Sequence, residues 1–228
     1  MILIRTVLLS SSLVFTVCVG AAVAQSAAPG ASSSAAASKP LLTLQMPALP
    51  DPVRVVLKPA TTALLVFDMV DPICKSQPKC TGVMVPALAS LLAQARKAGV
   101  LVVYSTRAPT ISKWLPEAAP APGDPMIVSY AQDRFYNTDL DKTLKAKGIT
   151  TLILTGWKIS GSVLYTSVGA TLRDYTVVVP VDASLATTDY EDAIGLFQIL
   201  TQNSANATNE PLKAKASTLS RTDMITFQ

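Results

Sequence analysis

The sequence contains no histidine, and this absence excludes several kinds of active site. A Ser-His-Asp or Cys-His relay needs an imidazole to accept the proton of the nucleophile. Zinc and non-haem iron sites with histidine ligands are excluded for the same reason. Only three cysteines are present, and a closed all-thiolate zinc site needs four. Any catalysis must therefore use acidic, basic, hydroxyl or thiol side chains, and we expect neither a metal nor a cofactor.

Charged residues are also sparse, with 19 Lys and Arg against 15 Asp and Glu among 228 residues, a net charge of +4. The lysines are scattered, and no basic stripe carries interleaved aromatic residues, so nucleic acid is not an expected partner. No glycine-rich pattern follows the first predicted strand, so neither a dinucleotide site nor a P-loop is supported. The length fits one domain of ordinary size.

Residues 1–24 have the features of a secretory signal peptide. Arg5 forms a short positive region, residues 7–19 are mostly apolar, and Ala22-Val23-Ala24 has the small-x-small form of a cleavage site. An uncleaved membrane anchor is the alternative, but this apolar stretch is short and rich in serine. We therefore predict export to the periplasm or the extracellular space, with cleavage near Ala24.

Residues 25–45 are rich in Ala, Ser and Pro, which predicts a flexible linker before a folded domain over 46–228. Export would leave two cysteines in the mature chain, Cys74 and Cys80, six residues apart in a polar loop. In an oxidising compartment this pair predicts a local disulfide, which would stabilise the fold by roughly 2 kcal/mol. A reactive thiol or a redox pair is the alternative.

Apolar runs of strand length alternate with segments of helical periodicity from residue 61 to residue 200. The predicted strands cover 61–67, 100–105, 126–128, 151–155 and 176–181, with a last edge strand at 224–227. The predicted helices cover 85–98, 138–148, 161–173 and 189–200. Strands buried on both faces and separated by helices predict a single three-layer, Rossmann-like α/β domain with a mainly parallel sheet.

Ligands of such sheets bind at the carboxyl ends of the strands, so we expect a small-molecule pocket there. The residues that follow the predicted strands are Asp68, Arg107, Ser129, Asp182 and the segment 156–162. Four side chains near these ends are candidates to line the pocket, although aromatic residues at such positions are more often part of the core. They are Arg107, Trp157, Tyr130 and Phe135.

Three segments resemble the isochorismatase-like family of cysteine hydrolases, which includes nicotinamidases, carbamoyl-amide hydrolases and isochorismatases. They are TALLVFDMVDP (62–72), FYNTDLDKTLKAKGITTLILTGW (135–157) and GSVLYTSVGATLRDYTVVVPVDAS (161–184). The resemblance implies a six-stranded parallel sheet with helices on both faces. It also implies hydrolysis of amide C–N or vinyl-ether bonds, and it makes a homo-oligomer an expectation.

The resemblance further implies an Asp after the first strand, a Lys after the third and a Cys at the start of the helix after the fourth. The cation and the helix N-terminus lower the pKa of the thiol, the Asp accepts its proton, and the thiolate attacks a carbonyl. Carried over to this chain, the Asp is Asp68, the Lys position is Ser129 and the Cys position is Ser162. Only one of the three catalytic residue types is kept.

Two hypotheses follow from these replacements. In the first, the protein is a degenerate member that binds a small molecule or a partner with little or no turnover, because serine is a far weaker nucleophile than thiolate. In the second, Ser162 is the nucleophile of an active hydrolase, with Asp68 as base or orienting group and Lys158 as a displaced cation. The alternative interpretation of Lys158 is a solvated lysine in a loop. The sequence favours the first hypothesis.

Overall fold

The structure is a computed structural model, and it describes residues 43, 45, 48–107, 113–202 and 217–228. Residues Met46–Gln228 form one compact unit. The predicted signal peptide and most of the predicted linker lie outside the described residues. In the described part of the chain, no helix is long and apolar enough to cross a membrane. In the same part, no group of three or more acidic or cysteine side chains is arranged to hold a metal ion.

A parallel sheet forms the middle layer, and within the described residues it has six strands in the order β4-β3-β2-β5-β6-β7. A separate two-stranded parallel sheet pairs β1 with β8. The strands are β1 (Val55–Leu57), β2 (Thr62–Phe67), β3 (Leu101–Thr106), β4 (Met126–Val128), β5 (Thr151–Gly156), β6 (Thr176–Pro180), β7 (Ser217–Ser220) and β8 (Ile225–Phe227). The predicted parallel sheet of an isochorismatase-like fold is confirmed.

The helices flank this sheet and lie mostly where helical periodicity predicts them. They are α1 (Asp71–Cys74), α2 (Val85–Lys97), α3 (Leu140–Lys145), α4 (Leu164–Thr171) and α5 (Asp189–Thr201). Two π-helical turns precede α2 and α4, at Cys80–Met84 and Ile159–Val163, and 3₁₀ turns occur at Pro59–Thr61, Pro116–Ala118 and Thr222–Met224.

Strand β2 occupies the centre of the sheet, and all six of its residues are buried. Successive side chains of a strand point to opposite faces, so β2 contributes to two separate apolar cores. Leu64 and Val66 pack in the core that contains the buried residues of α2. Leu65 and Phe67 pack in the core that contains residues of α3, α4 and α5. This two-sided burial explains why the strand reads as an uninterrupted apolar run.

Two predicted elements differ from the structure. The helix predicted over 161–173 begins as the π-helical turn, because Gly161 has φ −128° and ψ −110°, and α4 starts only at Leu164. The predicted edge strand 224–227 is β8, which pairs with β1 outside the main sheet. The sixth strand is β7, which contains three hydroxyl residues and a single leucine and therefore lacks an apolar strand pattern. Its buried hydroxyls have partners, since Ser220 Oγ donates to the Val53 carbonyl at 2.8 Å.

The predicted disulfide between Cys74 and Cys80 is confirmed, with 5.3 Å between the two Cα atoms. Both cysteines are fully buried in the core beside α2. The same loop is tied to the start of α5, because Lys79 Nζ lies 2.5 Å from Asp189 Oδ1 and 2.7 Å from Asp192 Oδ2. The disulfide loop therefore packs as part of the domain.

Candidate functional site

Asp68 immediately follows the central strand β2 and is buried, with 6% of its surface exposed. Its backbone has φ +50°, a left-handed conformation that is uncommon for residues other than glycine. The chain is held there by two backbone hydrogen bonds, from Asp68 N to the Ser105 carbonyl at 3.1 Å and from Val70 N to the Asp68 carbonyl at 2.8 Å. The turn fixes the Asp68 carboxylate at the carboxyl end of the sheet.

Ser162 lies in the π-helical turn after β5 and is also buried. The chain leaves β5 through Gly156, whose φ is +108°, and then through a cis peptide bond between Trp157 and Lys158. A Cβ atom at Gly156 would overlap the backbone of Phe67, so only glycine allows β5 to approach the end of β2 this closely. Ser162 Oγ consequently lies 3.4 Å from Asp68 Oδ2.

Arg134 is the residue that connects these two side chains, and it was not identified from the sequence. Its side chain is only 2% exposed. Nη2 forms an ion pair with Asp68 Oδ2 and donates to Ser162 Oγ at 2.7 Å, while Nη1 donates to the Ser129 carbonyl at 2.7 Å. The guanidinium carbon lies 5.7 Å from the centre of the Phe67 ring. We call Asp68, Arg134 and Ser162 the Arg134 cluster.

Ser129, at the position where the family has a lysine, contributes its backbone to the cluster. Its carbonyl accepts from Arg134, whereas its own hydroxyl donates to the Ala131 carbonyl at 3.3 Å. The cation of the site is thus a guanidinium five residues further along the chain. The feature of the sequence that could have identified Arg134 is its position as a basic residue directly before the matched segment 135–157.

Burial dominates the electrostatics of the cluster. It raises the pKa of the Asp68 carboxyl above its ordinary value, and Arg134, the Thr106 side chain, Arg107 and Ser162 act in the opposite direction. Burial likewise lowers the pKa of Arg134, which the neighbouring Asp68 opposes. An arginine side chain nevertheless stays protonated in proteins, and the Arg134 cluster therefore keeps a permanent positive charge.

Lys158, the displaced cation of the hydrolase hypothesis, lies elsewhere. Its ammonium group forms an ion pair with Glu191 of α5, and Ser160 Oγ lies 3.4 Å from the same carboxylate oxygen. The hydrogen bond from Lys158 lowers the pKa of Glu191. The structure therefore does not bring Lys158 into the Arg134 cluster.

A cavity of about 210 Å3, which we call the strand-end cavity, opens beside the cluster. Its lining residues are Arg107, Tyr130, Ala131, Gln132, Arg134 and Ser162. Two of the four predicted lining residues, Arg107 and Tyr130, are among them. Phe135 is instead buried in the core and stacks on Tyr175, with 5.8 Å between ring centres. Trp157 packs against the core on the α2 side of the sheet.

Comparisons with known proteins agree with this geometry. The model of the isochorismatase domain family matches residues 62–209. Ureidoacrylate amidohydrolase RutB of Methylobacterium radiotolerans is 28% identical over 187 residues, covering 61% of this chain and 72% of that protein.

Solved structures show the same fold. An isochorismatase family protein from Burkholderia thailandensis is 22% identical with a TM-score of 0.61, covering 75% of this chain and 96% of its own. N-carbamoylsarcosine amidase from Thermoplasma acidophilum is 25% identical with a TM-score of 0.57, covering 72% of this chain and 97% of its own. Together with the parallel sheet and Asp68 at the end of its central strand, the family match establishes that this chain belongs to the isochorismatase family.

Proposed function

We propose that this protein binds a small molecule in the strand-end cavity and carries out little or no hydrolysis of the thiol-dependent kind. The observation that carries the proposal is the double use of Arg134 Nη2, which contacts both Asp68 Oδ2 and Ser162 Oγ. The oxygen of Asp68 that would accept the proton of Ser162 is the same oxygen that Arg134 already occupies.

Proton transfer from Ser162 to Asp68 is unfavourable in this arrangement. The guanidinium opposes the rise in the pKa of Asp68 that burial causes, and the hydroxyl lies 3.4 Å away, beyond the ordinary range for an O–H···O bond. One of the two lone pairs of Ser162 Oγ also accepts from Arg134, which makes the oxygen a weaker nucleophile. A serine hydroxyl is in addition a much weaker acid than a thiol, and it needs a stronger base for activation.

Thiol chemistry from another residue is not supported either. Cys74 and Cys80 are joined in the disulfide, and Cys18 belongs to the predicted signal peptide. The described part of the domain therefore holds no free thiol. Binding without turnover needs only the cavity and its polar lining, both of which the structure provides.

One observation favours a second candidate function, hydrolysis of an amide by Ser162. Arg134 donates to Ser162 Oγ at 2.7 Å and would stabilise the alkoxide that forms during attack. In this second candidate function, Arg134 is the cation beside the nucleophile, a role that the hypothesis from the sequence assigned to Lys158. The named activity of RutB makes amides the natural substrates to test.

The test compares turnover with binding in protein purified from cells that express the full chain. A panel of primary amides and N-carbamoyl compounds is incubated with the wild type and Ser162→Ala, and ammonia release is measured. Ser160→Ala is the matched control, because it removes a neighbouring hydroxyl outside the cluster. We expect no release that depends on Ser162, together with saturable binding by calorimetry. Turnover that Ser162→Ala abolishes and Ser160→Ala preserves would overturn the binding proposal in favour of the hydrolase.

We also propose that the protein acts after export, to the periplasm or the extracellular space. The signal-like pattern of residues 1–24 supports this, and so does the Cys74–Cys80 disulfide, because such bonds persist mainly in oxidising compartments. Cell fractionation followed by intact-mass measurement tests it. The expected product starts at Gln25, and recovery of a cytoplasmic chain that retains residues 1–24 would contradict export.

A further inference from the structure

Among the residues that the structure describes, the side chains at the strand-end cavity carry one uncompensated positive charge. Arg107 and Arg134 are the lining side chains that are charged at neutral pH, and Asp68, which pairs with Arg134, is not part of the lining. Arg107 forms no hydrogen bond or ion pair with any residue that the structure describes. It lies close enough to influence the pKa of both Asp68 and Arg134. The net charge of the three groups is +1, which suits a single negative charge on a ligand.

The lining is also richer in hydrogen-bond donors than in acceptors. Arg107 offers a guanidinium that has no partner among the described residues, while Tyr130 and Gln132 add a phenol and an amide. The Gln132 side chain lies against Gly161, since a Cβ added there would be 2.5 Å from Gln132 Oε1. The hydroxyl oxygen of Ser162 already accepts from Arg134. A ligand that only accepts hydrogen bonds therefore fits this surface.

From these observations we infer that the ligand of the strand-end cavity is a small monocarboxylate, with its carboxylate held by Arg107 and Gln132 against the Arg134 cluster. This inference rests on the proposed binding function and names its ligand class. Guanidinium and carboxylate match in charge and in planar geometry. The cavity of about 210 Å3 limits the acid to a few carbons or one ring. A dianion fits less well, because Asp68 lies directly behind Arg134.

The chemistry of the ligand agrees with binding in place of turnover. Amide hydrolysis converts a neutral amide into a carboxylic acid, which is ionised at neutral pH. A cavity with an unpaired cation holds that acid more tightly than the amide. An amidase that bound the acid more tightly than the amide would be inhibited by its own product. A protein whose function is to bind acids would require the same preference.

Calorimetry with matched pairs tests the inference directly. Benzoate is compared with benzamide, and acetate with acetamide, on protein from the full chain. We expect each acid to bind about tenfold or more tightly than its amide, which corresponds to one charge-assisted hydrogen bond. Arg107→Gln should weaken binding of the acids by a similar factor and leave the amides unchanged. Arg54→Gln is the matched control, since it removes an exposed arginine that does not line the strand-end cavity.

The outcomes separate this inference from the function on which it rests. Amides that bind as tightly as acids, or acid affinity that survives Arg107→Gln, would overturn the carboxylate assignment and leave small-molecule binding intact. Inorganic phosphate that binds more tightly than benzoate would overturn the assignment as well. If no acid, amide or phosphate binds to folded protein at millimolar concentration, the inference and the proposed binding function both fail.

Discussion

Arg134 and Asp68 form a buried ion pair in which the guanidinium nitrogen that contacts the carboxylate also donates to Ser162 Oγ. One side chain thus links two of the three positions that are catalytic in the family, and it holds the backbone of the third through the Ser129 carbonyl. A lysine has a single nitrogen on a flexible stem and does not present donors in this planar fork. Arg134 therefore holds in place Asp68 and Ser162, the two groups between which a proton would have to be transferred during hydrolysis.

The first prediction concerns the stability of this pair. Arg134→Met leaves the Asp68 carboxylate buried without a counter-charge, and we expect the free energy of unfolding to fall by about 3–5 kcal/mol. Urea denaturation monitored by tryptophan fluorescence measures the change. The double variant Asp68→Leu/Arg134→Met should recover part of the loss, because it removes both charges. A loss below about 1 kcal/mol in Arg134→Met would show that the pair contributes little.

The second prediction restores the family's thiol. In Ser162→Cys the sulfur would lie beside Arg134, and we expect its pKa to fall below the ordinary cysteine value of about 8.5. The carboxylate of Asp68 opposes this effect only weakly, because the same guanidinium neutralises it. The pH dependence of alkylation by iodoacetamide reports the pKa. Ser90→Cys, on the exposed face of α2, is the reference thiol, and an equal or higher midpoint at position 162 would contradict the prediction.

The sheet was largely predictable from the sequence because its central strands are buried on both faces. An uninterrupted apolar run such as β2 can fold in few other ways within one domain. Strand β7 escaped prediction because its burial depends on partners far away in the sequence, including the Val53 carbonyl that accepts from Ser220. Local pattern carries no information about such partners.

The same reasoning applies to the site. Asp68 and Ser162 were predictable because each lies inside a segment that resembles the family, Asp68 directly after β2 and Ser162 in the turn that follows β5. Arg134 was missed because it stands in an irregular segment between β4 and α3, where no periodicity indicates which way a side chain points. Lys158 is closer to Ser162 along the chain than Arg134 is, but its ammonium group forms an ion pair with Glu191 on α5. Distance along the sequence could not decide between the two cations.

The third prediction uses the raised pKa of Asp68. The charged and polar groups that face this carboxylate are Arg134, Arg107, Thr106 and Ser162, and none of them titrates at acid pH. Below the pKa of Asp68 its negative charge is lost, so the net charge of Asp68, Arg107 and Arg134 together rises from +1 to +2. We therefore expect anion affinity to increase as the pH falls through this pKa.

Benzenesulfonate is the probe for this measurement, since a sulfonate stays ionised over the whole range. Calorimetric titrations from neutral pH to the lowest pH at which the protein remains folded give the profile. Asp68→Asn should flatten it, because the amide carries no charge at any of these values. Affinity that decreases with acidification, or a slope that persists in Asp68→Asn, would contradict the assignment to this carboxylate.

The fourth prediction concerns the Cys74–Cys80 disulfide. Replacing both cysteines by serine removes the constraint on a short loop, and we expect the free energy of unfolding to fall by about 2 kcal/mol. A reducing agent should lower the stability of the wild type by a similar amount and leave the double variant unchanged. Equal stability of the wild type and the double variant under oxidising conditions would show that the disulfide does not stabilise the fold.

The fifth prediction tests how closely β5 must approach β2 to form the site. Gly148 and Gly156 both have positive φ, but an added Cβ at Gly148 meets no atom within 4 Å, whereas at Gly156 it would overlap the Phe67 backbone. Gly148→Ala should therefore cost about 1 kcal/mol for its backbone conformation alone. Gly156→Ala should cost about 1–3 kcal/mol more, because the strand ends must move apart.

Since Asp68 directly follows Phe67, that movement would also displace the carboxylate from Arg134 and Ser162. We expect Gly156→Ala, at a temperature where it remains folded, to weaken ligand binding in calorimetry, and Gly148→Ala to bind like the wild type. Equal unfolding free energies for the two variants would mean that the backbone near Phe67 adapts without cost. Normal binding by Gly156→Ala would mean that the Arg134 cluster does not depend on the close pairing of these two strands.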